Sequence, residues 1–185
     1  MSMSAAFGDR LFVVVSGLPA SGKTTLARRL APALRLPLVD KDDILEALFN
    51  ALGSKDLAWR QTLSRASDVV LKEFIVSSCG AVVASFWRHR DVTGDSGTPF
   101  DWMLALSPRI VEVYCDCSPS VAARRFKLRR RHVGHCDEEK SEESLARQFE
   151  TLANRGPLGV GRLIVVDTNV DGNIEALVQR VAAAI

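Results

Sequence analysis

The sequence predicts an α/β fold in which a parallel sheet lies between two layers of helices. Continuous apolar runs, of which residues 11–16 are the first, are typical of strands buried on both faces. Helical stretches alternate with these runs, which indicates βαβ units. The chain of 185 residues suffices for one domain with a substantial core. A glycine-rich turn, GLPASGKTT at 17–25, separates the first run from the first helix.

Apolar runs and turn residues set the bounds of the predicted elements. The predicted strands cover residues 11–16, 37–40, 81–85, 109–115 and 162–167. The predicted helices cover residues 23–34, 42–52, 55–78, 119–131, 141–154 and 171–184. Asp42 or Asp43 is the expected cap of the second helix, and Asp171 of the last. Residues 88–99 form a long irregular stretch, which is either a functional loop or a plain surface connection.

The composition is that of a soluble globular protein. Hydrophobic residues make up 47% of the chain and charged residues 25%, with a formal net charge of +2. This near balance argues against a protein that binds nucleic acid by overall charge. No apolar run approaches the roughly 20 residues of a membrane-spanning helix. Cysteines without a CxxC pair and a start without signal-peptide character predict a cytoplasmic protein.

The glycine-rich turn satisfies the pattern G-x-x-x-x-G-K-[ST] and stands between a predicted strand and a predicted helix. In this context the backbone N–H groups and the helix start form a concave site for phosphate groups. The expected nucleotide-binding residues are Gly17, Ala20, Ser21, Gly22, Lys23, Thr24 and Thr25. Lys23 would reach the β- and γ-phosphates, and the Thr24 hydroxyl would bind Mg²⁺. A tight turn with an exposed lysine is the alternative.

Four stretches, GLPASGKTT, LVDKDDI, VYCDCSPSVAARRFKLR and VVDT, resemble the P-loop kinases of small molecules. Chloramphenicol phosphotransferases, zeta-type toxins, gluconate kinases and adenylylsulfate kinases belong to this group. The resemblance implies a three-layer P-loop NTPase fold with a five-stranded parallel sheet in the order 2-3-1-4-5 and a helical lid. It also implies a single kinase domain over residues 1–185, a lid at about 124–140, and ATP and Mg²⁺ as cofactors. Neither an NKxD motif nor a second ATPase-type domain is evident, which favours a kinase over a GTPase or mechanical ATPase.

Three carboxylates, Asp40, Asp42 and Asp43, follow the second predicted strand. They lie at the edge where ligands bind in open α/β sheets. A carboxylate there can align an acceptor hydroxyl and take its proton, and the resemblance implies this role for Asp42. Asp40 is expected to hold a water on Mg²⁺, and Asp43 to cap the helix. In the alternative interpretation Asp42 is also only a helix cap.

A basic segment, RRFKLRRR at 124–131, follows the fourth predicted strand. As a kinase lid it would supply guanidinium groups to the transferring phosphoryl group, and Arg125 and Arg129 would share one helix face for this purpose. As a nucleic-acid patch it is less suitable, because acidic residues follow at once. The other arginines are expected to be solvated or paired with these acids. His132, His135 and Cys136 form at most a weak metal motif, since no second pair of ligands is evident.

The third and fifth predicted strands end in further candidate site residues. Phe86 and Trp87 can form an aromatic wall for the acceptor, and Arg88 can hold an anionic or hydroxyl-rich group. Ordinary packing is the alternative for Trp87. Thr168 lies in a turn that resembles the one beside adenine in P-loop kinases.

Together these features predict an ATP-dependent phosphotransferase that phosphorylates a hydroxyl of a small molecule. The resemblance places an antibiotic first among the acceptors. Two other functions stay open: a nucleotide-dependent switch that hydrolyses ATP slowly, and a polynucleotide 5′-hydroxyl kinase. Binding of single strands that weakens steeply with salt would favour the polynucleotide kinase. Phosphate release without any phosphorylated acceptor would favour the switch.

Overall fold

Five parallel strands form the central sheet of the protein. The structure is a computed structural model that describes residues 10–94, 96–106, 109–135, 137, 141–170 and 173–184. The strands are β1 Leu11–Gly17, β2 Leu38–Asp40, β3 Gly80–Ala84, β4 Arg109–Asp116 and β5 Arg162–Asp167. They are all parallel and lie in the order β2-β3-β1-β4-β5. The predicted fold class and strand order are confirmed.

Helices connect successive strands, as expected for parallel pairing. They are α1 Lys23–Leu34, α2 Lys41–Leu52, α3 Leu57–Ser77, α4 Asp101–Leu104, α5 Pro119–Leu128, α6 Glu142–Ala153 and α7 Ile174–Ala182. A short 3₁₀ turn covers Val133–His135. In the part of the chain described here, no helix is long and apolar enough to cross a membrane.

The sheet has a separate apolar core on each face, because successive strand residues point to opposite sides. On one face Val13, Val15 and their strand neighbours pack against Leu30 of α1 and Val181 of α7. On the other face a second cluster includes Leu71 of α3. The two cores produce the predicted three layers and fix all five strand ends at one edge of the sheet.

Two element ends differ from the prediction at points that matter for the site. The second helix is capped by Asp40, whose carboxylate accepts a hydrogen bond from the Asp42 backbone N–H at 2.9 Å. The basic helix α5 ends at Leu128, so Arg129 is its C-cap and residues 130–131 lie beyond the helix. The last helix is capped by Asn173, and the predicted cap Asp171 lies outside the described residues.

The long loop after β3 turns back so that residues 96–98 contact residues 85–88. Thr98 forms a bridge with Trp87, and its hydroxyl lies 2.6 Å from that of Ser85. The guanidinium of Arg88 donates hydrogen bonds to the backbone carbonyls of Ser96 and Gly97. The short helix α4, which the sequence analysis did not predict, follows this loop and buries Met103.

Candidate active site

The glycine-rich turn joins β1 to α1 in a backbone conformation that its glycines permit. Gly17 has φ +130°, and a Cβ there would lie 2.6 Å from the Cys115 carbonyl oxygen. Gly22, with φ +95°, is the N-cap of α1 and gives the helix no side-chain cap. Ala20 also has a positive φ, 58°, which is uncommon outside glycine. The first-turn N–H groups of α1 are therefore left for another acceptor, such as phosphate oxygens.

Lys23 is the first residue of α1 and lies within the turn. Its ammonium donates hydrogen bonds to the carbonyl oxygens of Gly17 at 3.1 Å and Leu18 at 2.6 Å. Burial lowers the pKa of Lys23 to about 8. An arriving phosphate would favour the charged form, because an opposite charge offsets the loss of water.

Thr24 and Asp40 form a pair of oxygen donors beside the turn. The Thr24 hydroxyl donates to a carboxylate oxygen of Asp40 at 2.7 Å. Burial raises the pKa of Asp40. A hydroxyl next to a carboxylate is a donor set that suits Mg²⁺, directly or through water.

Asp42, at the start of α2, forms an ion pair with Arg131. The guanidinium lies 2.7 Å from the Asp42 carboxylate and also contacts Asp137 at 3.2 Å. Burial acts to raise the pKa of Asp42, but the charges of Arg131 and His135 outweigh it and hold the pKa below its usual value. Asp42 is therefore a carboxylate that stays ionised near neutral pH.

The two predicted lid arginines point to different places. Arg125 donates to the backbone carbonyls of Thr168 at 2.7 Å and Asn169 at 3.2 Å. Arg129 stacks on the Phe126 ring at 4.0 Å and lies 3.8 Å from Asp137. Burial lowers the pKa of Arg129 to about 10. Arg131, which was expected to be solvated or paired with acids, contacts Asp42 and Asp137.

The segment after α5, which we call the lid segment (described residues 129–135 and 137), docks on α2. His132 stacks on Phe49, with ring centroids 5.3 Å apart, and His135 meets the same ring edge-on at 5.5 Å. His135 is buried, and its Nε2 lies 2.9 Å from the Glu46 carboxylate. Among the described residues no group of three metal-ligating side chains occurs. Cys136 lies outside the described residues.

The three residues predicted to contact the acceptor after β3 do not all face the same space. Phe86 and Arg88 line the large cavity beside the glycine-rich turn. Trp87 is buried in the core instead, where its indole N–H donates to the Val15 carbonyl at 2.9 Å. The structure thus brings two of these three residues to the cavity.

The cavity, of about 1130 Å³, brings together most of the predicted site residues. Those that line it are Ala20, Gly22, Lys23, Thr24, Thr25, Asp40, Asp42, Phe86, Arg88, Arg125, Arg129 and Thr168. Gly17 and Ser21 belong to the same turn but do not line the cavity, and Ser21 is fully buried. This volume lies slightly above the range of about 300–1,000 Å³ that is usual for small-molecule and cofactor sites, which leaves room for a nucleotide and an acceptor together.

Sequence reasoning missed one wall of the cavity. Lys41 of α2 and a polar face of α3, which includes Arg60, Gln61 and Ser64, also line it. The only signal in the sequence is that these α3 residues recur at helical spacing on one face, which a solvated helix surface also shows.

Comparison with known proteins agrees with this arrangement. A cytidylate kinase from Pyrobaculum islandicum is 26% identical over 163 residues, which is 85% of this chain and 79% of that protein. The crystal structure of an inferred kinase from Chloroflexus aurantiacus J-10-fl is 28% identical, with a TM-score of 0.77, and the match covers 96% of this chain and 99% of that one.

A gluconokinase from Sinorhizobium meliloti 1021 shares the fold, at 20% identity and a TM-score of 0.57, over 96% of this chain and 92% of that one. These proteins are P-loop kinases, as the resemblance of the four sequence stretches implied. The family model AAA_33, described as an AAA domain, matches residues 12–154. The chain therefore belongs to this AAA domain family.

Proposed function

We propose that this protein is an ATP-dependent kinase that transfers the γ-phosphoryl group to a hydroxyl of a small molecule. The observation that carries the proposal is that one cavity is lined by Lys23 of the glycine-rich turn, Asp42, and Arg129 and Arg131 of the lid segment. A kinase needs these three functions side by side: donor binding, acceptor alignment and charge stabilisation. We treat residues 1–185 as a single kinase domain with its lid at about 124–140.

The donor nucleotide would lie along the glycine-rich turn. The N–H groups at the start of α1 and the Lys23 ammonium would bind phosphate oxygens. Thr168 and Arg125, which contact each other and also line the cavity, would lie beside adenine. Thr24 and Asp40 would hold Mg²⁺, which neutralises phosphate charge when bound. A cytoplasmic setting is part of the proposal, and the free thiols of Cys79, Cys115 and Cys117 suit a reducing compartment.

Asp42 would align the acceptor. The acceptor oxygen attacks the γ-phosphorus, the bond from that phosphorus to the β–γ bridging oxygen breaks, ADP leaves, and the hydroxyl proton passes to Asp42 or to solvent. With its pKa held low, Asp42 is a weak base and a good hydrogen-bond acceptor, so its main contribution is orientation. Arg129 and Arg131 would stabilise the charge on the transferring group.

Replacement of Asp42 by Asn tests the assignment. Asp42→Asn keeps the size of the side chain but loses the anionic acceptor, so we expect phosphoryl transfer to fall by about 10²-fold or more. Nucleotide binding, followed by calorimetry, should stay within about twofold because the donor contacts are elsewhere. Turnover close to that of the wild type would remove Asp42 from this role.

The lid arginines have a matched control in Arg130, which is exposed between them and makes no side-chain hydrogen bond or ion pair with the described residues. We expect Arg129→Gln and Arg131→Gln to slow transfer by about 10- to 10³-fold, the usual range for one lost transition-state donor. Arg130→Gln should behave as the wild type. Equal turnover in all three variants would contradict a catalytic lid.

The cytidylate kinase match favours a second candidate, in which the acceptor is a nucleoside monophosphate and the reacting oxygen belongs to a phosphate. Assays should therefore include CMP and other nucleoside monophosphates beside hydroxylated antibiotics, sugars and sugar acids. A product that gains one phosphoryl group on a phosphate would favour this candidate.

A further inference from the structure

A polar face of α3 forms one wall of the cavity. Its lining residues are Leu57, Arg60, Gln61, Ser64, Arg65 and Asp68. They recur three and four residues apart, so they share one face of the helix. The same face continues toward the C-terminal end of the helix with Leu71 and Ile75, which are fully buried in the core under the sheet. The C-terminal half of this face therefore packs under the sheet, while its N-terminal half lines the cavity with mostly polar side chains.

Asp68 has its charge balanced by Lys41. The Lys41 ammonium lies 2.7 Å from the Asp68 carboxylate, and only 11% and 17% of these side chains are exposed. Asp42, the next carboxylate along the cavity wall, is paired with Arg131. The carboxylates on this side of the cavity are thus engaged by other cations.

Arg60 has no such partner. Its Nε–H is buried without an acceptor, and its side chain makes no hydrogen bond or ion pair with the described residues. A buried donor left unsatisfied costs about 1–3 kcal/mol, more when it is charged. Burial lowers the pKa of the neighbouring Lys41, and the like charge of Arg60 acts in the same direction. The pair Arg60 and Lys41 therefore carries one positive charge more than Asp68 neutralises.

We propose that the acceptor carries an anionic group, a carboxylate or a phosphate monoester, that binds to Arg60 beside Lys41. The proposal rests on the proposed function, since the ligand is the acceptor of the kinase. A guanidinium binds either anion through two parallel hydrogen bonds and would thereby satisfy the buried Nε–H. Gln61 and Ser64 offer neutral polar contacts on the same helix face. Hydroxy acids and phosphate esters consequently rank before neutral antibiotic alcohols as acceptors.

The binding test uses inorganic phosphate and needs no knowledge of the acceptor. The full chain is first saturated with Mg²⁺ and a non-hydrolysable ATP analogue, which blocks the glycine-rich turn, and phosphate is then titrated by calorimetry. We expect saturable binding that Arg60→Gln weakens by about 10- to 100-fold, the loss typical of a charged hydrogen bond. Lys72→Gln, which removes an exposed charge from the same helix, should leave it unchanged.

Two results would overturn the anion site: no saturable phosphate binding, or equal binding by the wild type and Arg60→Gln. Circular dichroism and analogue affinity show whether the variant is folded. If Arg60→Gln unfolds, Arg60→Lys replaces it: the ammonium cannot form the two-pronged contact, so weaker binding supports the site and unchanged binding contradicts it.

A turnover test separates this proposal from the kinase activity itself. Acceptors are assayed in matched pairs, each hydroxy acid with its primary amide and each sugar phosphate with its free sugar. Phosphorylation of the charged member alone, with a raised acceptor KM and an unchanged ATP KM in Arg60→Gln, supports the site and identifies which anion it takes. Equal turnover of the neutral members overturns it and leaves the kinase standing. Absence of product from every pair contradicts the proposed function, and the phosphate titration then decides the anion site by itself.

Discussion

Lys23 is buried in a position where a negatively charged ligand would stabilise its charged form. Its ammonium is held by two backbone carbonyls of the turn, and burial lowers its pKa to about 8. The usual value is 10.5, so between pH 8 and 10.5 the folded state holds fewer protons than the unfolded state. In that window the contribution of Lys23 to the free energy of unfolding rises with pH. A bound phosphate would reverse the shift.

Nucleotide binding should therefore take up protons above pH 8. Phosphate oxygens restore the charged form of Lys23, so the affinity for ATP should decline as the pH rises from 8 to 10. Calorimetry in two buffers of different ionisation enthalpy measures the uptake. Lys23→Met should abolish it and weaken binding, while Lys72→Met should leave both unchanged. Binding without proton uptake at pH 9 would contradict a phosphate contact for Lys23.

Single residues differ in how far the sequence alone can place them. The turn residues were predictable because the motif is local and its spacing sets the backbone. The position of Trp87 was not predictable, since the direction of its side chain depends on its hydrogen bond to the Val15 carbonyl of β1. The position of Arg131 was also not predictable, because its contact with Asp42 joins segments 89 residues apart and depends on where α5 ends.

Among the elements, the lid segment shows how closely α2 and the basic region fit together. Gly134 lies against Phe49, and a Cβ on it would come within 2.6 Å of that ring and 2.7 Å of the Ser54 hydroxyl. His132 and His135 enclose the ring from two sides. The docking of the lid segment consequently depends on the missing side chain at residue 134.

Gly134→Ala should loosen the lid segment without changing any charge. Overpacking of this kind costs about 1–3 kcal/mol, which corresponds to about a 5- to 150-fold shift of the docking equilibrium. Faster hydrogen exchange in α2 and a comparable loss of kcat/KM are expected. Val133→Ala, at the exposed neighbouring position, is the control. Unchanged exchange in α2 would show that docking does not depend on this contact.

Most elements were predictable, but the functional face of α3 was not identified. Alternation of apolar runs with helices placed all five strands to within a residue or two at each end, because burial on both faces leaves an apolar run. The face of α3 that lines the cavity carries polar residues, which an isolated sequence presents as an ordinary solvated surface. Its role becomes visible only when α2 and the lid segment enclose it.

For the whole molecule, Glu112 links the sheet to the loop before β5. It is fully buried in the middle of β4 and accepts hydrogen bonds from the Ser16 hydroxyl at 2.6 Å and the Leu158 and Gly159 N–H groups at 2.8 and 2.9 Å. Because Ser16 precedes Gly17, this network also supports the glycine-rich turn. One carboxylate thus ties three segments together.

Removal of this carboxylate should destabilise the entire fold. Glu112→Ala leaves several donors buried without acceptors, and we expect a loss of about 3–5 kcal/mol, or a Tm lower by about 6–20 °C in a chain of this size. Glu73→Ala, at an exposed position of α3, is the control and should change Tm by less than about 2 °C. A change in Tm of less than about 2 °C for Glu112→Ala would show that the network does not stabilise the fold.

Transfer of a phosphoryl group from ATP to an acceptor bound in the cavity can be measured directly. The most direct measurement incubates the protein with ATP, Mg²⁺ and the acceptor pairs and detects products by mass spectrometry. We expect an acceptor that gains one phosphoryl group in step with ADP formation, and a product yield that Asp42→Asn lowers by about 10²-fold or more. ADP formation that releases only inorganic phosphate with every acceptor, or equal product yield from Asp42→Asn, would contradict it.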